Sequence, residues 1–401
     1  MKHDLALING KVFYAEELQE RNVYITQGKI AQIKNSELEA EEKIDCKGML
    51  VLPGMIDSHV HMREPGLTHR EDFLTGSMAA AHGGVTTFLD MPNTKPPTLT
   101  IANLEEKREL AKKSVVNYGF HFGSSQDNLD EIAAVWDKNI ASVKVFMNHT
   151  TGEMLIEEDE VIEKIADASK RMTVHAEGKK VKKILELTKG KKTKVYLCHI
   201  SLKEELDLIK KEHVKPFVEV TPHHLFLTSK DIENPLREMY PSLKSEKDQE
   251  ALWTSIKAGI VTTIGSDHAP HTKEEKMTEC TPRGVPNLDT TIPLLLDAVN
   301  KGKLTITKLV ELCSENPAKI FGIKEKGSIA KGYDADLVVV DLKKEHVVNA
   351  DDLFTKCGWS PYEGFKLKGK VEKTLVNGKV VCEGNEVYQK TRGREVFLDV
   401  N

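Results

Sequence analysis

Apolar and polar positions change their rhythm twice along the chain, and the two ends resemble each other. The first ~50 residues alternate apolar and polar positions in short runs, with the turn pair Asn9-Gly10 and a turn at Gly28. The C-terminal ~75 residues read in the same way, with the turn pair Asn377-Gly378. Period-two alternation broken by Asn-Gly or Gly turns is typical of β-hairpins. Both ends are therefore predicted to be β-rich.

The middle of the chain instead alternates short apolar runs with amphipathic stretches. Apolar residues recur at helical intervals behind an acidic first turn in 157–171, and a Ser–Asp capping pattern at Ser245 begins a helix that is predicted to end at Gly259. Eight apolar runs are predicted as strands: 55–61, 85–91, 116–122, 141–147, 172–176, 194–200, 217–221 and 260–267.

Eight strand–helix units predict an α/β fold built on a (β/α)₈ TIM barrel, which we assign to residues 53–324. The β-rich ends, 1–52 and 325–401, are predicted to pair into one small β-domain formed from both termini, because chain ends often lie close together. A doubly wound open sheet is the alternative. The middle shows no Gly-rich phosphate loop after a strand, which disfavours that alternative.

Composition narrows the possible partners. Hydrophobic residues make up 39% of the chain and charged residues 30%, with a net charge of −5, so nothing suggests nucleic acid or an anionic membrane as partner. No run approaches the roughly 20 apolar residues of a membrane span, and the N-terminal stretch does not resemble a signal peptide. Six cysteines without paired spacing suit a reducing compartment, so a cytoplasmic location is expected.

Residues that can bind metals cluster at the predicted strand ends, where barrels carry their chemistry. Four histidines and one aspartate indicate a metal site, and imidazole with carboxylate favours zinc over magnesium or calcium. One catalytic zinc needs fewer ligands than this. A neutral lysine at the fourth strand could take up CO₂ and bridge two ions as a carbamate; alternatively it pairs with an acidic neighbour and binds no metal. These residues are His59, His61, Lys144, His175, His199 and Asp267.

The stretch "DSHVHMREP", residues 57–65, places an arginine on the same face of the first strand as the two histidines. Its guanidinium group can bind a carboxylate through two hydrogen bonds, so Arg63 is a candidate anion-binding residue. The alternative interpretation is a salt bridge from Arg63 to Glu64 or Glu71.

Several motifs carry a family resemblance. "LPGMIDSHVHMREPG" resembles the first motif of the amidohydrolase superfamily, in the "HVHMREPG" form of dihydroorotases, and "GSDHAPHTKEEK" (265–276) resembles the second dihydroorotase signature. "VKVFMN" and "YPSLKSEKDQEALW" are similar to the branch that uses a carboxylated lysine. The resemblance covers residues ~50–325 and extends more loosely to both ends.

The resemblance implies a zinc-dependent cyclic amide hydrolase that interconverts N-carbamoyl-L-aspartate and (S)-dihydroorotate in de novo pyrimidine biosynthesis. It implies two zinc ions bridged by carboxylated Lys144, with Asp267 also acting as the proton shuttle. The implied ligands are His59, His61 and Asp267 for one ion and His175 and His199 for the other; the implied substrate-binding residues are His61, Arg63, Asn93 and His271.

Two other functions remain open, as do several details. Another cyclic amidohydrolase, an allantoinase or a dihydropyrimidinase/hydantoinase, is the main alternative, and a non-enzymatic scaffold is the second. A homodimer and docking on aspartate transcarbamoylase are further expectations. Tyr240 stands where many dihydroorotases have the Asn of "NPPLR", Cys198 and Glu219 could support the site or bind a third metal, and 148–153 could be a lid or a passive turn.

Overall fold

The computed structural model describes residues 2–149 and 154–399. Most of the segment 148–153 lies outside the described residues, so its role as a lid stays a prediction. Within the two described ranges, no helix is long and apolar enough to cross a membrane.

Strands and helices alternate in the middle of the chain, and strands dominate both ends. The strands are β1 (His3–Tyr14), β2 (Glu17–Thr26), β3 (Lys29–Lys34), β4 (Ala40–Asp45), β5 (Leu50–Pro53), β6 (Met55–Val60), β7 (Val85–Asp90), β8 (Asn117–Phe120), β9 (Phe122–Gly123), β10 (Val143–Phe146), β11 (Arg171–His175), β12 (Lys194–Leu197), β13 (Phe217–Val220), β14 (Thr263–Ile264), β15 (Leu337–Val347), β16 (Lys366–Val376), β17 (Lys379–Glu383) and β18 (Glu386–Val387). The helices are α1 (Phe73–His82), α2 (Ile101–Ala111), α3 (Leu129–Ala134), α4 (Asp159–Ala168), α5 (Lys179–Leu187), α6 (Lys203–Ile209), α7 (Pro222–Phe226), α8 (Glu246–Lys257), α9 (Lys273–Lys276), α10 (Thr291–Asn300), α11 (Ile306–Val310) and α12 (Asn316–Phe321). A π-helical turn, Glu311–Glu315, joins α11 to α12, and short 3₁₀-helices cover Val135–Asp137, Ser229–Asp231, Pro235–Arg237 and Ala350–Asp352.

The barrel prediction is confirmed. Parallel strands run in the order β6-β7-β8 and β9-β10-β11-β12-β13-β14, and β8 continues into β9 through His121. A parallel bridge between Val60 and His268 links the first strand to the segment after the last. All residues of β6, β7 and β10 are buried, as expected for strands packed inside and out. The open-sheet alternative is wrong.

The two ends of the chain form one sheet in the order β18-β17-β16-β15-β5-β1-β2-β3, with β4 also paired to β1. The join is between β5 and β15, where Leu337 lies opposite Pro53 in antiparallel register. The composite β-domain is thus confirmed. Its boundaries at 52/53 and 324/325 stay a prediction; β5 spans the first of them, and Glu395 near the C-terminus pairs with Tyr118 of the barrel.

Two predicted hairpin turns are present and one is wrong. Gly28 joins β2 to β3, and Asn377-Gly378 joins β16 to β17 with positive φ at both residues. Asn9-Gly10 instead lies inside β1, where the pairing with β2 shifts register between Leu7 and Gly10. Asn9 has φ 56°, so the pair forms a bulge. The Asn9 amide donates to Asp45 across the sheet (3.0 Å), a non-local contact that a local turn signal cannot reveal.

A cluster of charges ties the two ends of the chain together around Asp334. Its carboxylate lies 2.7 Å from Lys29 Nζ, 2.8 Å from Lys326 Nζ and 2.6 Å from the guanidinium of Arg394. Burial alone would raise the pKa of Asp334, but the charge of Lys326 and the hydrogen bonds from Arg394 and Lys29 hold it well below its ordinary value. The ionised carboxylate therefore stabilises the folded state.

We expect Asp334→Asn to lower the free energy of unfolding by about 1.5–3 kcal/mol at pH 7, since the three cations lose a charged acceptor. A lowered pKa contributes stability above the unfolded value, and that stability is lost as pH falls. The difference between wild type and variant should therefore shrink below about pH 4. Denaturant unfolding at several pH values measures it. Asp341→Asn is the matched control, because Asp341 on β15 accepts from the Lys343 backbone N–H and makes no ion pair within residues 2–149 and 154–399; an equal loss in both variants would contradict the prediction.

Candidate active site

The six predicted metal ligands come together at the C-terminal ends of the barrel strands. They line one cavity, which is also lined by Arg63 and Asn93, and all eight side chains are buried. The backbone is left-handed at Arg63 (φ 59°), His199 (φ 35°) and Asp267 (φ 46°). Non-glycine residues rarely adopt this conformation, and such strain concentrates at functional sites.

The ligand-type atoms form two neighbouring groups in this cavity. Asp267 Oδ1 lies 3.3 Å from His59 Nε2 and 3.2 Å from His61 Nε2. In the second group, His175 Nδ1 and His199 Nε2 lie 2.8 Å apart. Burial lowers the pKa of all four imidazoles, most strongly those of His59, His61 and His199, so they are neutral, which is the form that binds metals.

Partners behind the first two histidines fix which nitrogen faces the cavity. His59 Nδ1 donates to Glu219 Oε1 and His61 Nδ1 donates to Asn93 Oδ1, each at a distance of 2.7 Å. With Nδ1 carrying the proton, each Nε2 presents its lone pair toward Asp267. Outer hydrogen bonds of this kind orient metal-binding imidazoles in proteins.

Glu219 acts from behind the site in this arrangement. It also accepts from the backbone N–H of His199 (3.0 Å) and from the hydroxyl of Tyr196 (2.8 Å). Burial raises the pKa of Glu219 to about 8 despite these donors. A metal cation beyond His59 is the charge that would favour its ionised form, so the donor set fits a metal.

We expect Glu219→Gln to weaken metal binding by roughly 10- to 100-fold, because glutamine can still accept from His59 but lacks the charge. Competition with a chelator measures the affinity. Glu205→Gln is the matched control: this glutamate is also buried, but it accepts from the backbone N–H groups of Gly178, Ser201 and Leu202. An unchanged zinc affinity in Glu219→Gln would refute the orienting role.

Lys144 is fully buried and lines the same cavity as the two histidine groups. Its amine lies 3.0 Å from Cys198 Sγ and 4.9 Å from the centre of the Phe146 ring. Among the described residues it makes no ion pair, so the interpretation as a salt bridge to an acidic neighbour is wrong. Burial raises the pKa of Cys198 to about 12, which leaves a neutral thiol. An amine without a carboxylate partner, next to four neutral imidazoles, fits a group that becomes anionic when carboxylated.

Arg63 is 1% exposed and has no carboxylate partner within the described ranges. Its Nε donates to the Pro270 carbonyl (3.1 Å), whereas NH1 is buried without a hydrogen-bond partner among the described residues. Burial lowers the pKa of Arg63 to about 10, so it remains a cation at pH 7. The alternative salt bridge is wrong, because the Glu64 carboxylate pairs with Lys113 and the Glu71 carboxylate accepts from the side chains of Thr75 and Thr355.

Two predicted substrate contacts lie beside other site residues. His271 is fully buried behind the cavity wall, with Nε2 3.2 Å from Arg63 NH2 and 3.1 Å from the Arg283 carbonyl oxygen. Asn93 lines the cavity and accepts from His61. The link from Asn93 to His61 was not anticipated, because the two residues are 32 positions apart and nothing in either motif signals the pairing.

Four residues that were not predicted as site residues also line the cavity: Phe146, Ala269, Arg283 and Gly284. Tyr240, the residue left open, lines it as well. Arg283 follows α9 in an irregular segment without hydrophobic periodicity, so no sequence pattern marks it.

The fold and the site together are those of a metal-dependent cyclic amidohydrolase. The amidohydrolase family model matches residues 50–381. Among solved structures, an L-hydantoinase (dihydropyrimidinase) from Arthrobacter aurescens superposes with a TM-score of 0.93 at 29% identity, over 98% of this chain and 100% of that one. The chain belongs to the amidohydrolase family.

The sequence relatives are more specific. The chain is 40% identical to a dihydroorotase of Pyrococcus horikoshii, over 99% of this chain and 96% of that protein. It is 39% identical to a dihydroorotase of Pyrococcus furiosus, over 97% of this chain and 95% of that protein. These relatives place the chain among the dihydroorotases of the family.

Proposed function

We propose that the protein is a dihydroorotase, which interconverts N-carbamoyl-L-aspartate and (S)-dihydroorotate in de novo pyrimidine biosynthesis. The observation that carries this proposal is Arg63, a buried cation beside the histidine–aspartate groups that has no carboxylate partner in the part of the chain that the structure describes. Dihydroorotate carries a carboxylate on its ring, and a guanidinium binds that group through two hydrogen bonds. The named dihydroorotase relatives support the same function.

We propose that the site holds two zinc ions. His59, His61 and Asp267 would hold one ion, His175 and His199 the other, and a carboxylated Lys144 would bridge them. The ligand atoms of the first group lie within 4.8 Å of one another, which supports a shared ion. When bound, such ions supply Lewis acidity, activating water near neutral pH and polarising a carbonyl. His59, Cys198 and His199 also form a group that could hold an ion. The neutral thiol of Cys198 and the orienting contacts of Glu219 instead favour a supporting role for Cys198 and Glu219.

The chain's own residues bind the substrate and move one proton. Arg63 would hold the ring carboxylate and so set the amide carbonyl over Asp267. In ring opening, the water oxygen adds to that carbonyl carbon, the carbon–nitrogen bond breaks, and Asp267 carries a proton from the water to the departing nitrogen. The other proton of the water is released to solvent when the new carboxylic acid ionises. Ring closure is the reverse, with Asp267 protonating the departing oxygen.

A hydantoinase or dihydropyrimidinase is the second candidate, favoured by the close structural match to the Arthrobacter enzyme. Substrates of the hydantoin and dihydrouracil type need no arginine for a ring carboxylate, and a buried unpaired guanidinium would be a cost to their enzyme. A non-enzymatic scaffold is disfavoured because all six predicted ligand residues lie together in one cavity.

Purified protein loaded with zinc tests the proposal against dihydroorotate, dihydrouracil, hydantoin and allantoin. We expect ring opening of dihydroorotate, and ring closure of N-carbamoyl-L-aspartate at mildly acidic pH. Turnover of dihydrouracil or hydantoin with dihydroorotate left intact would refute it. The homodimer, docking on aspartate transcarbamoylase and the cytoplasmic location stay predictions, which light scattering, co-purification and cell fractionation would test.

A further inference from the structure

One wall of the cavity is built from two loop segments, 238–240 and 282–284, which have no part in the proposed mechanism. Tyr240 lies on the first segment and Arg283 on the second, and both line the cavity. The Arg283 guanidinium lies over the Tyr240 ring, 5.5 Å from its centre, and contacts the Glu238 carboxylate. This group, Glu238, Tyr240 and Arg283, is partly exposed, with the Tyr240 side chain 40% accessible.

Lys276 holds the two segments together through hydrogen bonds to their backbones. Its fully buried amine donates to the carbonyl oxygens of Glu238 (2.6 Å), Pro282 (3.0 Å) and Gly284 (3.2 Å). The Gly284 N–H also donates to the Glu238 carbonyl (3.1 Å). A buried amine that donates to three backbone carbonyls fixes the positions of both loops, so the wall that carries Arg283 is preorganised.

The two arginines of the cavity differ in their counterions. Arg63 is buried and lacks a carboxylate partner among the described residues, whereas Arg283 already has Glu238. A guanidinium has five N–H donors, and one carboxylate takes two of them at most. Arg283 therefore keeps donors but brings no uncompensated charge, so it suits a neutral acceptor better than a second carboxylate.

We propose that Arg283 is a specificity-determining residue that binds the neutral ureido oxygen of the substrate. This inference rests on the proposed function. Once Arg63 holds the carboxylate and the scissile carbonyl lies at the histidine–aspartate groups, the ureido oxygen is the remaining hydrogen-bond acceptor of the ring, and it is left to face the wall that carries Arg283. A carbonyl buried without a donor is costly, and Arg283 is the charged donor on that wall.

The test compares ligands that contain the ureido group with one that does not. In Arg283→Met, we expect KM for dihydroorotate and for N-carbamoyl-L-aspartate to rise roughly 10- to 100-fold. In Arg283→Met/Glu238→Gln, which removes both charges of the ion pair, inhibition by succinate, which offers two carboxylates and no ureido group, should change less than about twofold, because a neutral contact is lost and not an anion site. Arg283→Lys, which keeps the charge and a donor, should recover part of the loss.

Arg108→Met is the matched control, because Arg108 is also a partly buried arginine paired with a glutamate, Glu395 (3.0 Å), but lies outside the cavity; we expect wild-type kinetics. A loss of succinate binding in Arg283→Met/Glu238→Gln as large as the rise in KM would show general attraction of anions and overturn the proposal, and so would an unchanged KM for both substrates in Arg283→Met. If the wild type opens hydantoin but not dihydroorotate, the proposed function fails while this inference is still tested, because hydantoin contains the same ureido carbonyl and its KM should rise in Arg283→Met.

Discussion

Lys144→Ala is expected to lower kcat by about 10³-fold or more and to reduce the zinc content, and added acetate or propionate is expected to restore part of the activity. The reason is the position of Lys144, which is fully buried, lines the same cavity as the His59–His61–Asp267 group and the His175–His199 pair, and makes no ion pair among the described residues. Two dications need an anion between them, and a carbamate on Lys144 would supply it. Metal-based activation contributes several kcal/mol to such reactions, which corresponds to this factor.

Rescue by short acids separates this role from simple misfolding. A carboxylic acid can enter the space left by the side chain and offer the same bridging oxygens, whereas it cannot repair an unfolded barrel. Wild type prepared with ¹³C-bicarbonate should show a carbamate carbon signal by NMR that is absent from Lys144→Ala. Lys180→Ala is the control, since Lys180 lies on α5 and its amine contacts the Met147 carbonyl. Full activity in Lys144→Ala, or a labelled wild type without the carbamate signal, would refute the bridge.

The architecture was predictable because its signals are local and repeated. Each barrel strand is a short apolar run, and the chain order of eight such runs determines which side chains meet at one end of a barrel. His59 and Asp267 are more than 200 positions apart, yet topology alone brought them together in the prediction. The capping box at Ser245 is confirmed for the same reason, since its two partners are three residues apart.

The parts that were missed depend on contacts between distant loops. The tautomers of His59 and His61 depend on Glu219 and Asn93, which lie 160 and 32 positions away in the sequence. These pairings depend on which strand ends meet in the folded barrel. The position of Arg283 depends on the buried amine of Lys276, which holds two loops by backbone carbonyls that carry no side-chain signature. Sequence patterns therefore identified the residues that meet in the cavity better than the residues that orient them.

Arg63→Met is expected to lower kcat/KM for dihydroorotate by roughly 10²- to 10⁵-fold. Methionine fills a similar volume but leaves the substrate carboxylate buried without its donor. Because the substitution cannot change the overall equilibrium, kcat/KM must fall by the same factor for ring closure of N-carbamoyl-L-aspartate. Measuring both directions therefore checks the kinetics internally.

The substrate provides the second half of the comparison, because dihydrouracil is dihydroorotate without the carboxylate. If Arg63 reads that group, Arg63→Met should lose activity on dihydroorotate while any activity on dihydrouracil stays unchanged or rises, since the unpaired cation is gone. Arg171→Met is the matched control: Arg171 is also a buried barrel arginine whose pKa burial lowers to about 10, but it donates to the Ala141 carbonyl and lies outside the cavity. That variant should preserve the ratio between the two substrates even if its thermal midpoint falls. Equal losses on both substrates in Arg63→Met would mean that the arginine supports the barrel top, and the assignment of the substrate would then rest on the relatives alone.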